Sequence, residues 1–184
     1  DLVRGWGFAS TIARARIGAD RGAARLGALW WLIEPALQVG AWFIFVALVK
    51  GDAAHPERAV AIAAGFVPWR IFQNVVFSTG DGYIKGTNLI RIPRLPRLAL
   101  PLAASLEAAF TSLFAIVVLI AVVGAFAPAS LLQQRALWLV PLFGLVFLAA
   151  LSTGLVLAAL LPFSPDLRRF VRSSFRVLFF ATPV

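Results

Sequence analysis

Apolar residues in this chain are gathered into long runs instead of being spread evenly along it. Four runs, over residues 26–49, 59–80, 98–126 and 136–161, contain at most one charged side chain each. A helix needs roughly 20 apolar residues to cross a bilayer, and a backbone in hydrocarbon must satisfy its hydrogen bonds within its own segment. The pattern therefore predicts an all-α membrane protein with four complete spans and an incomplete fifth over residues 170–184.

Basic residues lie between these runs in an alternating order. Thirteen of the seventeen Lys and Arg residues fall within residues 1–25, 81–97 and 162–176, whereas the other connections carry few charges. Because cytoplasmic connections of membrane proteins collect positive charge, these three segments and the N-terminus are predicted to be cytoplasmic. The chain begins at Asp1 and stops at Val184 within an apolar run, so we expect a piece of a longer protein.

The predicted domain division follows the same pattern. Residues 1–25 place apolar side chains at steps of three or four, with most basic side chains off that stripe, which predicts an amphipathic helix in the membrane interface. Residues 26–184 form the predicted transmembrane domain. Within it, residues 81–97 form a cytoplasmic loop in which Pro93 would close a short helix.

Composition excludes several classes of protein. The chain is 61% hydrophobic with a net formal charge of +9, and its basic residues flank the apolar runs, which indicates contact with anionic lipid headgroups and no nucleic-acid partner. Cys is absent, which excludes disulfides and thiol chemistry. No GxxxxGK(S/T), HExxH or GxSxG motif occurs. We therefore predict no catalytic residue, no metal site and no cofactor bound by this chain.

Three charged residues interrupt the apolar runs: Glu34, Arg70 and Glu107. A charge in the middle of a bilayer costs about 2.5–3.5 kcal/mol on insertion scales, so such residues face the protein interior or water. Three interpretations stay open, namely a structural ion pair between Arg70 and one carboxylate, the lining of a transport route, and extension of the Arg70 side chain to the membrane surface.

Four blocks of sequence occur in an order that is typical of a known family. They are LGALWWLIEP at residues 26–35, GFVPW at 65–69, NLIR at 88–91 followed by PR at 93–94 and LALPLA at 98–103, and DLR at 166–168 followed by FFATPV at 179–184. With these blocks the chain resembles the membrane subunit of a type-2 ABC exporter, in the branch that exports O-antigen, capsule, teichoic acid or related cell-envelope polysaccharides.

The resemblance implies an architecture and partners. Residues 1–25 would be the interfacial helix of the family, and a sixth span with gate helices would follow Val184. Two copies would form the pore in the bacterial inner membrane, each with a cytoplasmic ABC ATPase subunit that binds ATP and Mg. The coupling helix that docks on this ATPase would comprise Thr87, Asn88, Leu89, Ile90 and Arg91. Arg70 departs from the apolar or aromatic residue expected after Pro-Trp, so no family role carries over to it.

The resemblance also gives candidate site residues. Most of the six Trp and sixteen Phe residues are expected in interfacial belts, but some would stack on sugar rings along a substrate path. The path candidates are Trp30, Trp31, Glu34, Trp69, Arg70, Phe72, Phe179 and Phe180. Candidates for binding the pyrophosphate of a lipid-linked glycan are Arg4, Arg14, Arg16 and Arg21, with anchoring to membrane lipid headgroups as the alternative.

Two other function classes compete with polysaccharide export. A membrane enzyme acting on a lipid-linked sugar would need a cluster of carboxylates or His at one membrane face, whereas the sequence separates its intramembrane charges widely. An exporter of small lipids or drugs, or a noncatalytic scaffold, would share the same spans. Stimulation of a partner ATPase by the chain would separate a transporter from an enzyme.

Overall fold

The computed structural model describes residues 2–23, 27–50, 56–86, 98–128 and 137–181. Within these residues the fold is all-α, as predicted. The seven α-helices are α1 (Leu2–Ala23), α2 (Trp30–Lys50), α3 (Pro56–Gly80), α4 (Gly82–Lys85), α5 (Ala99–Phe126), α6 (Leu139–Leu160) and α7 (Pro165–Ala181), with 3-10 turns at Gly27–Leu29 and Leu161–Phe163.

Three helices of the described part are long and apolar enough to cross a membrane: Val60–Gly80, Ala99–Phe126 and Leu139–Phe163. They correspond to the second, third and fourth predicted spans. The finding indicates a multi-pass membrane protein. Helix α2 occupies the position of the first predicted span. Within the described residues it is not one of the three helices long and apolar enough to cross a membrane.

Helix α7 covers residues 170–181 of the incomplete fifth span that the sequence predicts over residues 170–184. It begins at Pro165, earlier than the predicted start of the apolar run, and carries five charged residues among its 17. Arg168, Arg172 and Arg176 recur at four-residue steps, which places them along one face of the helix. The helix is therefore amphipathic, and its described part, which ends at Ala181, is not among the three helices long and apolar enough to cross a membrane.

Helix α3 lies at the centre of the fold, between α5 and α6. Its buried residues Val67, Ile71 and Val75 recur at four-residue steps and pack in one core with Ala108 and Ala150. Lipid chains are as apolar as leucine, so helices in a membrane associate through close packing at small residues. The Ala residues of α5 and α6 therefore allow both helices to approach α3 closely.

Two glycines mark close contacts between helices, one between α6 and the end of α3 and one between α4 and α5. A Cβ atom added at Gly154 of α6 would lie 2.7 Å from Cβ of Thr79, and one added at Gly82 of α4 would lie 2.5 Å from Cα of Pro101. Both distances are shorter than van der Waals contact, so a larger residue at either position would separate the helices. The end of α3 is therefore held against α6, and α4, which follows it, is held against α5.

Helix α1 packs against the beginning of α5. Ala9 and Ala13 are buried against Ala103, with Ile12 and Leu106 beside them. The predicted N-terminal helix is thus observed, and its small residues provide the contact surface with α5.

Candidate functional site

An ion pair links α2 to the middle of α3. Arg70 Nη2 lies 3.1 Å from Glu34 Oε1, and Arg70 Nη1 donates a hydrogen bond to Gln38 Oε1. The Arg70 side chain is 22% exposed and that of Glu34 is 59% exposed. Of the three interpretations of Arg70, the structure shows the ion pair, and this pair borders a cavity.

That cavity has a volume of about 240 Å³ and is lined by residues of α2, α3, α4 and α5. Its charged lining consists of Glu34, Arg70, Lys85 and Glu107. The three intramembrane charges that are widely separated in sequence therefore border one cavity, together with a lysine. The expectation that they are scattered is wrong, because antiparallel helices bring positions far apart in the chain to similar depths.

Polar side chains form a stripe along the same face of α3. Gln73 and Asn74 follow Arg70 by three and four residues, and Ser78 follows Asn74 by four, which places them on one side of a helix. Gln73, Asn74 and Ser78 were not predicted from the sequence as site residues. The signal was present as a polar periodicity within an apolar run, but it is weaker than the signal of a full charge.

Asn74 joins this stripe to α5. Its Nδ2 amide group donates to the backbone oxygen of Ala108 at 3.3 Å, and lies 3.2 Å from both the Thr111 hydroxyl and the Ser112 hydroxyl. Gln73 donates to the backbone oxygen of Phe175 in α7 at 3.5 Å. The polar stripe therefore connects α3 to α5 and to α7.

Two further cavities continue the first one toward α7. One of about 410 Å³ shares Glu34, Arg70, Asn74 and Ser78 with the first cavity, and one of about 360 Å³ shares Arg70, Gln73 and Arg176 with the second. We call the three together the polar cleft. Its polar lining residues are Glu34, Gln38, Arg70, Gln73, Asn74, Ser78, Lys85, Glu107, Thr111, Ser112, Arg172 and Arg176.

Helix α7 is fixed to the end of α3 by a buried carboxylate. Asp81 Oδ2 lies 2.6 Å from Arg172 Nη2 and 2.8 Å from Arg168 Nη2, and the Asp81 side chain is only 5% exposed. The Arg172 guanidinium also stands over the Phe77 ring, 5.8 Å from its centroid. Arg172 therefore belongs to this contact and to the lining of the polar cleft at once.

Aromatic rings close the other end of the cleft. Phe179 of α7 lies 6.1 Å from Trp69, 5.9 Å from Phe66 and 5.0 Å from Trp42, measured between ring centroids. Trp42, Trp69 and Phe179 line the 360 Å³ cavity. The buried Trp69 indole N–H has no hydrogen-bond partner among the described residues. This end of the cleft therefore combines aromatic surface with one available donor.

The other predicted path residues lie in different surroundings. Trp31 lines the 240 Å³ cavity and packs 5.7 Å from Phe110. Phe72 stacks on Phe175 at 6.0 Å and lines none of the three cavities of the cleft. Trp30 is 46% exposed and also lies outside the cleft lining. The Phe180 side chain lies outside the described residues.

The predicted pyrophosphate-binding arginines are located on α1. Arg16 forms an ion pair with Glu107 at 3.7 Å, and Arg14 is exposed. The side chains of Arg4 and Arg21 lie outside the described residues. The predicted coupling residues Thr87, Asn88, Leu89, Ile90 and Arg91 lie outside them as well.

Fold and cleft together define an all-α, multi-pass membrane protein with a polar cleft along its central helix. No protein-family model matches the chain, and no curated protein matches it. Within the described helices, no group of three or more His, Cys, Asp or Glu residues is placed to hold a metal ion.

Proposed function

We propose that this chain is the membrane subunit of an ATP-driven exporter that moves a cell-envelope polysaccharide or a lipid-linked glycan across the bacterial inner membrane. Two copies would form the pore, and each would dock on a separate ATPase subunit. The observation that carries the proposal is the polar cleft, which runs beside a helix apolar enough to span the membrane.

The energetics of membrane insertion support a transport role for this cleft. Each charged side chain at mid-bilayer costs a few kcal/mol, and such residues in membrane helices mark routes for polar substrates. Arg70 lies near the middle of the span Val60–Gly80 and is accompanied there by Gln73 and Asn74. A single ion pair for structural purposes would not require this additional polar surface.

The composition of the cleft supports a glycan as the substrate. Ligand sites for polar molecules combine aromatic surface with a few well-placed hydrogen-bonding groups. The rings of Trp42, Trp69 and Phe179 offer flat apolar surface for the C–H faces of a sugar. The Trp69 N–H, Gln73 and Arg70 would supply hydrogen bonds to its hydroxyl groups.

The energy source and the second copy belong to the same proposal. The sequence contains no phosphate-binding loop, so ATP and Mg would be bound by the partner ATPase. The connection from α3 through Asp81 and α4 leads along the chain toward residues 87–91, where the resemblance assigns the coupling helix. A cavity of about 410 Å³ holds only one or two sugar rings, so a glycan strand would need the space between two copies.

One observation favours the competing function. Glu34 and Glu107 line the same 240 Å³ cavity, together with Lys85 and Arg70. Carboxylates and basic side chains are common proton donors and acceptors in acid–base catalysis. A membrane enzyme that cleaves or transfers a lipid-linked sugar would act without ATP. It would lose product formation in Glu34→Gln and Glu107→Gln variants.

The test uses the full-length protein purified with its partner ATPase, which is sought in the adjacent gene, and reconstituted in lipid nanodiscs. ATP hydrolysis is expected to rise when undecaprenyl-pyrophosphate-linked oligosaccharide is added. The variant Asn88→Pro with Ile90→Asp should insert in the membrane but lose this stimulation, since both changes disrupt the coupling helix. The matched control is Leu131→Pro with Gln133→Asp, which changes the predicted connection between the third and fourth spans. This control should keep the stimulation by the glycolipid.

ATP hydrolysis that does not change when the glycolipid is added, combined with sugar transfer in the absence of ATP, would contradict the transporter proposal and support a membrane enzyme. Stimulation by short-chain lipids or drugs and none by the glycolipid would instead identify an exporter of small molecules.

A further inference from the structure

The 410 Å³ cavity of the polar cleft carries an excess of positive charge. Its ionisable lining residues are Arg70, Arg172, Arg176 and Glu34, so three positive charges and one negative charge give a net formal charge of +2. This excess attracts anions, because a cleft lined by charges of one sign raises the local concentration of the counter-ion.

The excess is concentrated on one residue. Arg70 is paired with Glu34, and Arg172 is paired with Asp81. Arg176 forms no ion pair with any residue that the structure describes. It lines both the 410 Å³ and the 360 Å³ cavities, one helical turn beyond Arg172.

We propose that this cavity is an anion site in which Arg70, Arg172 and Arg176 bind a phosphate or pyrophosphate group. The guanidinium group presents its N–H donors in a planar fork that matches phosphate oxygens, and charge-assisted hydrogen bonds are about twice as strong as neutral ones. The cavity volume falls within the range of about 300–1,000 Å³ typical of ligand sites.

The biological role of this anion site rests on the proposed function, and the site identifies which part of the substrate the cleft binds. The bound group is the charged end of a lipid-linked glycan, and the adjoining aromatic end of the cleft receives the first sugar. The sequence analysis assigned this role to the arginines of α1. Arg14 and Arg16 of that helix line none of the three cavities of the polar cleft, whereas Arg70, Arg172 and Arg176 share one of them.

Arg172 gives the site a direct consequence for the fold. Its guanidinium lies 2.6 Å from Asp81, so a phosphate group bound beside it competes with this carboxylate for the same donors. Asp81 lies between α3 and α4, ahead of the segment that the resemblance assigns to coupling. Occupancy of the anion site therefore loosens the contact between α7 and the end of α3.

The test measures binding of three probes to the purified full-length protein in phosphatidylcholine nanodiscs: inorganic pyrophosphate, farnesyl pyrophosphate and farnesol. Arg176→Gln should weaken pyrophosphate binding about tenfold or more, the effect of losing one charge-assisted hydrogen bond. Arg176→Lys keeps the charge without the fork and should lose less. Arg169→Gln is the matched control, because Arg169 lies on the same helix with an 85% exposed side chain.

Binding of both pyrophosphate probes would identify the phosphate group as sufficient, and binding of farnesyl pyrophosphate alone would show that the anion must arrive on a lipid. Either result supports the site. Affinity for farnesol equal to that for farnesyl pyrophosphate, or equal losses in Arg169→Gln and Arg176→Gln, would overturn it. Pyrophosphate binding without glycolipid-stimulated ATP hydrolysis would support the anion site and contradict the proposed export function. Glycolipid-stimulated ATP hydrolysis without pyrophosphate binding would contradict only the anion site.

Discussion

The contact between Asp81 and Arg172 allows a quantitative prediction, because the same helix carries a matched control. One oxygen of Asp81 lies 2.6 Å from Arg172 and 2.8 Å from Arg168, in a side chain that is 5% exposed. The perturbation is a double-mutant cycle with Asp81→Asn, Arg172→Gln and the double variant. The cycle isolates the interaction between the two residues from the other effects of each substitution.

The expected magnitude follows from burial. Hydrogen bonds to charged groups contribute about 1.5–3 kcal/mol, and fully exposed ion pairs contribute about 0–1 kcal/mol. The Arg172 side chain is 46% exposed, so water screens one side of the pair and the lower part of the first range applies. We expect a coupling energy of about 1–2 kcal/mol, roughly a five- to thirtyfold change in the folding equilibrium constant.

The control pair is Asp166 and Arg169, three residues apart at the beginning of α7. Their charged atoms are 3.8 Å apart, and their side chains are 91% and 85% exposed, respectively. The coupling energy of such a pair is expected to be about 0–0.5 kcal/mol.

The assay is unfolding of the purified protein in mixed micelles by sodium dodecyl sulfate, followed by fluorescence of the six Trp residues. The reasoning requires the Asp81 cycle to give clearly more coupling than the Asp166 cycle. Equal coupling in the two cycles, or less than about 0.5 kcal/mol for the Asp81 pair, would refute a role of burial in strengthening this contact.

Two further substitutions test the packing of the helices. Gly154→Val should lower the midpoint of detergent unfolding strongly, because its Cβ would lie 2.7 Å from Thr79. Gly144→Val should have little effect, since nothing lies within 4 Å of a Cβ at that position. Equal effects of the two substitutions would contradict the close contact at Gly154. Asn74→Leu should lower the free energy of unfolding by about 0.6–1.7 kcal/mol, the range for hydrogen bonds between membrane helices, since it removes the amide donor that lies 3.2 Å from the Ser112 hydroxyl. An unchanged unfolding midpoint would show that this hydrogen bond does not stabilise the fold.

The three candidate spans were predictable because their signal is local. A run of about 20 apolar residues has one energetically acceptable conformation in a bilayer, irrespective of its neighbours. The predicted limits 59–80 and 98–126 differ by one residue from Val60–Gly80 and Ala99–Phe126. Helix α7 begins at Pro165, five residues before the predicted start at residue 170, because basic residues follow Pro165 and a rule based on apolar runs detects only the later part of the helix.

The polar cleft was predictable only in part. Arg70, Glu34 and Trp69 were selected because a charge or an indole in an apolar run is conspicuous, and they do line the cleft. Gln73 was overlooked, since an uncharged amide interrupts hydropathy only slightly. Arg176 was assigned to the cytoplasmic flank because basic residues usually mark topology.

The sequence by itself determined the all-α architecture, the position of three spans and the presence of charges that cannot face lipid, because each depends on the hydrophobicity of a single segment. Only the tertiary structure decided which charges meet, since this depends on how antiparallel helices align in depth and rotate about their axes. Glu34 lies 36 residues before Arg70, and Asp81 lies 91 residues before Arg172, yet each pair is in contact. Close packing at residues without large side chains fixed those alignments.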